Sequence, residues 1–266
     1  MSSTVTKCAP YQSLAEIYDY VMRHVDYDHW AGHIHAILER YDHRVTRLVD
    51  LACGTGNATT ALHDLGYAVS GVELSQNMVE VAREKAALLG RDIEYFQGDL
   101  RRLEGLGPFD TSVCLYDSFN YLLTPRDLAR ALEEVYAILL PGGIFVFDVC
   151  TERNSLLYFQ DAKEDESGPG FKYRRHSRYD REQRLQYNEF HIRFGGCDEV
   201  LEEIHCQHIY ALDDLVAAVG ASPFDLLDFF AGFTFEKGSE RADRVHFVLR
   251  RSRGGAAPQR ENPHVE

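Results

Sequence analysis

Apolar positions follow two different periods along this chain, and the change of period divides it. From residue 12 to about 41 they recur at helical spacing. Leu14, Ile17, Tyr18 and Val21 form one stripe, and Trp30, Ile34, Ile37 and Leu38 form a second. Asp26-Tyr27-Asp28 separates two predicted helices, with Asp28 placed to cap the second. The first ten residues carry no period and are expected to be loose. From residue 45 to 150 short apolar runs alternate with helical stretches. Strands are predicted at 45–52, 68–74, 93–97, 109–116 and 144–149, and helices at 57–65, 76–89 and 125–139. Gly66 and Gly90 close the first two of these helices, Ser75 caps the second, and Pro125 opens the third where proline is best tolerated. Pro141-Gly142-Gly143 ends that third helix. Strands and helices in this alternation predict an α/β domain, a doubly wound, mostly parallel sheet with right-handed crossovers.

After Cys150 the pattern breaks. Residues 161–170 are acidic and glycine-bearing and read as a loop. Segments 171–179, 185–194 and 200–210 alternate polar and apolar residues and predict an antiparallel meander, with turns at 180–183 and 195–198. A helix over 212–219, capped by Asp213, and two strands at 224–230 and 244–250 follow. From Ser252 onward Gly, Pro and charge predict a disordered tail. The expected division is an N-terminal helical cap (1–44), a core (45–150 and 211–251), an antiparallel β insertion (151–210) after the fifth strand, and the tail (252–266).

Composition narrows the class. The chain has 266 residues, 45% of them hydrophobic, which suits one large α/β domain with an insertion. Its net charge of −14 argues against a general nucleic-acid partner and against docking on anionic membranes. The six cysteines form no CxxC pair, a pattern expected of a reducing cytoplasm. Neither a signal peptide nor a transmembrane span is expected. His29 and His33, and His205 with His208, lack zinc-ligand spacing, so no metal is expected.

The candidate chemistry gathers at strand ends. Gly54 and Gly56 follow the first core strand and precede a helix, a turn that brings backbone close to a ligand and aims the helix N-terminus at it. Glu73 ends the second strand, where a carboxylate can accept from ribose hydroxyls. Asp99 follows the third, where it can accept from an adenine amino group beside the Leu100 amide. A nicotinamide dinucleotide fits poorly. Its fingerprint needs a third glycine where Thr59 stands, and Asp50, just before the turn, suits an ammonium group better than a diphosphate.

The run Val49-Asp50-Leu51-Ala52-Cys53-Gly54-Thr55-Gly56, followed by Gly71-Val72-Glu73-Leu74-Ser75, Gln97-Gly98-Asp99-Leu100, Phe109-Asp110 to Tyr116-Asp117, and Leu140-Pro141-Gly142-Gly143, resembles class I S-adenosylmethionine-dependent methyltransferases. Ala52 stands where many members carry glycine. The resemblance implies a Rossmann-like fold with a seven-stranded sheet and S-adenosylmethionine as cofactor. It places Asp50, Ala52, Gly54, Gly56, Glu73, Leu74, Met78, Asp99, Leu100 and Tyr116 at the cofactor.

Residues 18–30 resemble the opening of small-molecule methyltransferases that act on glycine and on amino sugars, which implies that Tyr18 and Trp30 fold over the cofactor. Methyl transfer requires alignment more than a dedicated catalytic signature. Tyr18, Asp117 and Asn120 are the candidates for catalysis, Tyr121 follows the fourth strand with Asp117 and Asn120 beside the expected methyl group, and the insertion is expected to set acceptor specificity. It also carries His176, His205 and His208, and a basic patch of Lys172, Arg174, Arg175, Arg178, Arg181 and Arg184. The reading is methyl transfer to N or O of a small molecule. The alternatives are methylation of a tRNA or protein, and a non-catalytic cofactor-binding protein.

Overall fold

The computed structural model describes residues 4–253. In chain order the elements are β1 (Val5–Lys7), a 3-10 turn (Leu14–Ile17), α1 (Tyr18–Val21), α2 (Tyr27–Arg40), β2 (Leu48–Leu51), α3 (Asn57–Asp64), β3 (Val69–Glu73), α4 (Gln76–Leu89) and β4 (Glu94–Gln97). There follow β5 (Phe109–Cys114), a second 3-10 turn (Ser118–Tyr121), α5 (Pro125–Ile138), β6 (Leu139–Cys150), α6 (Glu152–Tyr158) and β7 (Asp161–Gly168). The chain continues through β8 (Phe171–Asp180), β9 (Leu185–Phe194), β10 (Val200–His208), α7 (Leu212–Ala221), β11 (Phe224–Ala231) and β12 (Arg244–Arg251).

Seven strands form the main sheet in the order β11-β12-β6-β5-β2-β3-β4. It is parallel except for β12, which runs antiparallel to both neighbours. This is the doubly wound, mostly parallel sheet that the alternation predicts, with the seven strands of the Rossmann-like fold that the resemblance implies. The strand period of two sorts side chains onto two cores. Phe145 and Phe147 of β6 join Leu128, Leu132 and Val135 of α5 and Leu215 of α7 on one face, while Ile144 and Val146 join Ile34 and Ile37 of α2, Leu62 of α3 and Val79 of α4 on the other. The helix α2 is therefore a covering layer of the sheet, and only the segment before it leans on the insertion. Its cap is Asp26, which accepts from the His29 amide at 2.9 Å, and not Asp28.

A second sheet of five strands, β1-β10-β9-β8-β7, takes four strands from the segment after β6 and the fifth, β1, from the N-terminal segment. Two of its strands depart from expectation. Residues 5–7 are not loose; they pair parallel with Val200–Glu202. The acidic run is not a loop but β7, antiparallel to β8, where Glu164 lies opposite Arg175, Asp165 opposite Arg174 and Asp161 opposite Arg178. Two further corrections are local. The fifth core strand, β6, begins at Leu139 and carries Pro141-Gly142-Gly143 within it, as a register shift against β5 between Phe109 and Thr111. The N-cap of α7 is Ala211 rather than Asp213, and the Glu240 carboxylate accepts from the first helical amide. Of the expected tail, residues 254–266 lie outside the described residues.

Candidate functional site

A cavity of about 810 Å³ opens at the carboxyl edge of the parallel strands. It lies where β2 and β5 are neighbours and their chains leave in opposite directions, the switch point at which such sheets take ligands. The glycine turn, Glu73 and Asp99 line one end, Tyr11 and Tyr18 cover it, and Asn188, His205 and Gln207 of the second sheet line the other.

The glycine turn is built from left-handed residues, Ala52 (φ 54°), Gly54 (φ 57°) and Gly56 (φ 78°). A Cβ on Gly56 would stand 2.3 Å from the Tyr95 hydroxyl, so only glycine fits. Beneath the turn, Asp50 is buried and accepts from the Thr59 hydroxyl at 2.6 Å. Burial pushes its carboxyl up to about 7, against the opposing Thr59 bond. Glu73 accepts from the amides of Gly54 (3.1 Å) and Ser75 (2.8 Å), so the carboxylate also shapes the loop it serves. Burial raises it, and those backbone donors oppose the rise.

Asp99 makes a two-pronged pair with Arg101 (2.9 and 2.6 Å) that holds it below the usual carboxylate range. Leu74, Met78, Leu100 and Tyr116 also line the cavity. Burial pushes the Cys53 thiol well up, leaving no thiolate.

Beyond β5 two successive non-glycine residues, Tyr116 (φ 60°) and Asp117 (φ 53°), are left-handed. Each such residue costs roughly 1–2 kcal/mol, and an ion-pair knot holds the pair in place. Arg244 of β12 bonds Asp117 at 2.6 Å and also bonds Asp148 of β6, while Asp148 accepts the Asp117 amide at 2.9 Å. The guanidinium lies over the rings of Trp30 (5.0 Å) and Tyr116 (5.1 Å). Gln207 donates to the other Asp117 oxygen at 2.7 Å.

Three expected site residues do not line the cavity: Gly56, which shapes the turn from within, Trp30 and Asn120. Trp30 lies behind Tyr116, packed against Phe233 and His246, because α2 is committed to the sheet. Asn120 is fully buried, with its amide donating to the His208 carbonyl and its oxygen accepting from the Cys150 amide, so it clamps three segments and has no group left for a ligand. Tyr18 does reach the cavity, with its ring against the glycine turn. The basic patch is opposed by acids: Arg174 pairs with Asp165, Arg175 with Glu164, Arg178 with Glu189, and Arg181 and Arg184 with Glu152. Only Arg175 of the patch lines the cavity. His208 lies outside the cavity lining, stacked on Tyr210.

Sequence reasoning missed several groups. Asp19 accepts from Thr55 (2.6 Å) and Asn57 (3.0 Å) and pairs with Lys85 (2.5 Å), which pins α1 onto the glycine turn. Tyr11, which lies just after the segment expected to be loose, shares a 2.6 Å hydrogen bond in the cavity with the expected Tyr121. Arg244 with Asp148 left a readable signal, since opposite charges stood in two apolar strands. Glu203 and Gln207 left another: with His205 they are polar residues at alternate positions of one strand.

Among the described residues no group of three or more His, Cys, Asp or Glu side chains is placed to hold a metal ion, and no helix is long and apolar enough to cross a membrane.

Residues 48–143 match the family model described as a methyltransferase domain. The chain is 32% identical over 247 residues to a protein of Geobacillus sp. (strain WCH70) named as a methyltransferase, covering 91% of this chain and 99% of that one. It is also 32% identical, over 55% of this chain and 57% of the relative, to the dTDP-3-amino-3,6-dideoxy-alpha-D-glucopyranose N,N-dimethyltransferase of Streptomyces fradiae. A similar fold occurs in an S-adenosylmethionine-dependent methyltransferase from Clostridium acetobutylicum, with a TM-score of 0.77, 24% identity, and coverage of 91% of this chain and 99% of that one.

Proposed function

This chain belongs to the methyltransferases, and from that membership we propose that it moves a methyl group from S-adenosylmethionine to an amine of a small polar acceptor. One observation carries the reading: a single cavity has carboxylates at the ends of β2, β3 and β4 and an amide-rich wall on the second sheet. The donor set fits the cofactor. Asp50, Glu73 and Asp99 suit a ligand with an ammonium group, ribose hydroxyls and an adenine amine, and they would repel a diphosphate. When bound, the cofactor supplies the methyl group and a good leaving group, so the protein needs no Lewis acid of its own.

The residues of this chain orient and enclose. Glu73 is the ribose ligand, Asp99 and Leu100 face the adenine, Tyr18 closes over the glycine turn, and Asp117 is held beside the reacting centre by Arg244 and Gln207. The cavity-lining arginines, Arg101, Arg175 and Arg244, are each matched by a carboxylate. An anionic acceptor therefore finds no spare cation there, and a neutral or cationic one is favoured. Asn154, Gln186, Asn188 and Gln207 offer hydrogen bonds to hydroxyls. The Streptomyces fradiae relative acts, by its name, on an amino sugar, which agrees with an amine acceptor.

The test uses methyl-labelled S-adenosylmethionine with a pool of aminohexoses, α-amino acids and polyamines, and label on nitrogen is the expected result. In calorimetry Glu73→Ala should weaken cofactor binding by about 1–3 kcal/mol, the loss of charged hydrogen bonds. Unchanged affinity would remove Glu73 from the site.

A further inference from the structure

At the acceptor end of the cavity four side chains are joined by hydrogen bonds that run in one direction. Glu203, His205 and Gln207 occupy alternate positions of β10 and so face the same way. Glu203 is fully buried and accepts from the amides of Tyr11 (2.8 Å), Ser13 and Leu14 (2.8 Å). Burial pushes its carboxyl up, but the bonds from His205 and from the Leu14 and Ser13 amides outweigh this and hold it below the ordinary range.

His205 Nε2 lies 3.2 Å from that carboxylate, and its Nδ1 lies 3.2 Å from the Tyr121 hydroxyl. An ionised carboxylate can only accept, so Nε2 carries the hydrogen, and in the neutral imidazole Nδ1 is left to accept from Tyr121. Tyr121 then accepts from the Tyr11 hydroxyl at 2.6 Å. Every proton in the chain is committed toward His205, which leaves the Tyr11 oxygen as a free acceptor. Tyr11, Tyr121 and His205 all line the cavity. Burial raises both tyrosines, and the Asp117 and Glu73 carboxylates add to it, so they stay protonated and act as conduits rather than bases.

We propose that Tyr11, Tyr121 and His205, held by Glu203, form a proton relay that accepts the proton an acceptor must lose on methylation; this rests on the methyl-transfer reading above. An amine arrives as an ammonium ion, without a free lone pair. One N–H proton passes to the Tyr11 oxygen as the Tyr11 proton passes to Tyr121 and the Tyr121 proton to His205 Nδ1. The freed nitrogen pair forms the N–C bond while the C–S bond breaks and its electrons return to sulfur. The relay ends as a His205 imidazolium beside the Glu203 carboxylate, and it resets by losing that proton to solvent. Tyr11 is the member that touches the acceptor. Tyr121, His205 and Glu203 are positioning residues acting through it. The titratable groups facing His205 are Glu203 from its own strand, Tyr121 from the turn after β5 and Tyr11 from the N-terminal segment, while Phe190 of β9 presents only a ring.

Two measurements test the relay. In the full chain saturated with S-adenosylhomocysteine, nitrogen NMR should show His205 as the Nε2–H tautomer, with an Nδ1 resonance that moves on Tyr121→Phe. The Nδ1–H tautomer, or an Nδ1 resonance indifferent to Tyr121→Phe, overturns the relay whatever the acceptor is. With the labelled pool described above, Tyr11→Phe and Tyr121→Phe should each lower kcat by about 10²-fold and leave the KM for S-adenosylmethionine unchanged. Their rates should also rise more steeply with pH than the wild-type rate, because hydroxide must replace the relay. A raised KM with unchanged kcat and slope would mark both tyrosines as packing groups and overturn the proposal. Methylation of hydroxyls alone would retire the amine reading and leave the relay standing on the same two measurements.

Discussion

Asp50 is fully buried at the end of β2, beneath the turn that the cofactor must approach. Burial lifts its carboxyl from 3.8 to about 7, so between those values the native ligand-free chain holds a proton that the unfolded chain has lost. Stability from this group is therefore complete at acid pH and is lost as pH rises through about 7. A cationic ligand reverses the preference by favouring the ionised form. The increase in Tm on adding S-adenosylhomocysteine should grow between pH 6 and 8, and Asp50→Asn should flatten that growth. A Tm increase that is constant with pH in the wild type would separate Asp50 from the ligand's charge. Residues of this kind were legible because the turn is local: Asp50, Gly54, Gly56 and Glu73 sit at strand ends that apolar runs and glycines mark. Trp30 and Asn120 were misplaced for the opposite reason. Whether an aromatic on an amphipathic helix or an amide after a strand faces the ligand depends on what packs against it, and no neighbour in sequence carries that information.

The helices α4 and α5 followed their local signals, since Ser75, Gly90 and Pro125 each do at their helix ends what their chemistry dictates, whereas the caps of α2 and α7 fell on neighbours of the expected aspartates. The strands of the second sheet were legible only where apolar residues alternate. In β7 the alternate positions are half-buried, yet they hold Ala162, Glu164, Glu166 and Gly168, so no apolar period was visible. What makes this segment a strand is the basic neighbour β8: the acidic run that read as a loop and the basic patch of the expected meander form one ladder. Single pairs in it are weak. Arg174 and Asp165 are both two-thirds exposed, and Arg174→Ala should change stability by under ~1 kcal/mol. Reversing Asp161, Glu164 and Asp165 together to lysine sets like charges opposite Arg178, Arg175 and Arg174, at roughly 0.2–1 kcal/mol for each pair. Amide exchange should then accelerate across 161–168 while β5 and β6 keep their protection. If exchange in 161–168 does not change, the strand is held by its backbone ladder and not by charge.

At the scale of the whole molecule residues 4–20, the part whose sequence promised least, bridge the two sheets beside the bonds that Asp117, Asn120 and Tyr121 make to β10. The strand β1 extends the second sheet beside β10, and the amides of Tyr11, Ser13 and Leu14 close on Glu203 of the same strand. The next contacts go to the main sheet. Ser75 donates to the Tyr11 carbonyl at 2.8 Å, Asn77 donates to the Gln12 carbonyl at 2.9 Å, and Asp19 binds Thr55 and Lys85. Three of those partners, Ser75, Asn77 and Thr55, line the cofactor end of the cavity, while Glu203 belongs to the strand that walls the other end. The segment thus ties donor loops to acceptor wall: Leu14, Ile17 and Val21 pack against Tyr173, Phe190 and Ile192 of the second sheet and join neither core of the main sheet. Removing residues 1–12 should therefore leave the main sheet folded, with cooperative unfolding retained, since none of its core side chains is lost. S-adenosylhomocysteine affinity should fall at least about tenfold, the equivalent of 1.4 kcal/mol, as Tyr11 and the bonds to Ser75 and Asn77 disappear. Amide exchange in β10 should rise together with that loss. If affinity falls while β10 keeps its protection, the segment covers the cofactor but does not couple the two sheets.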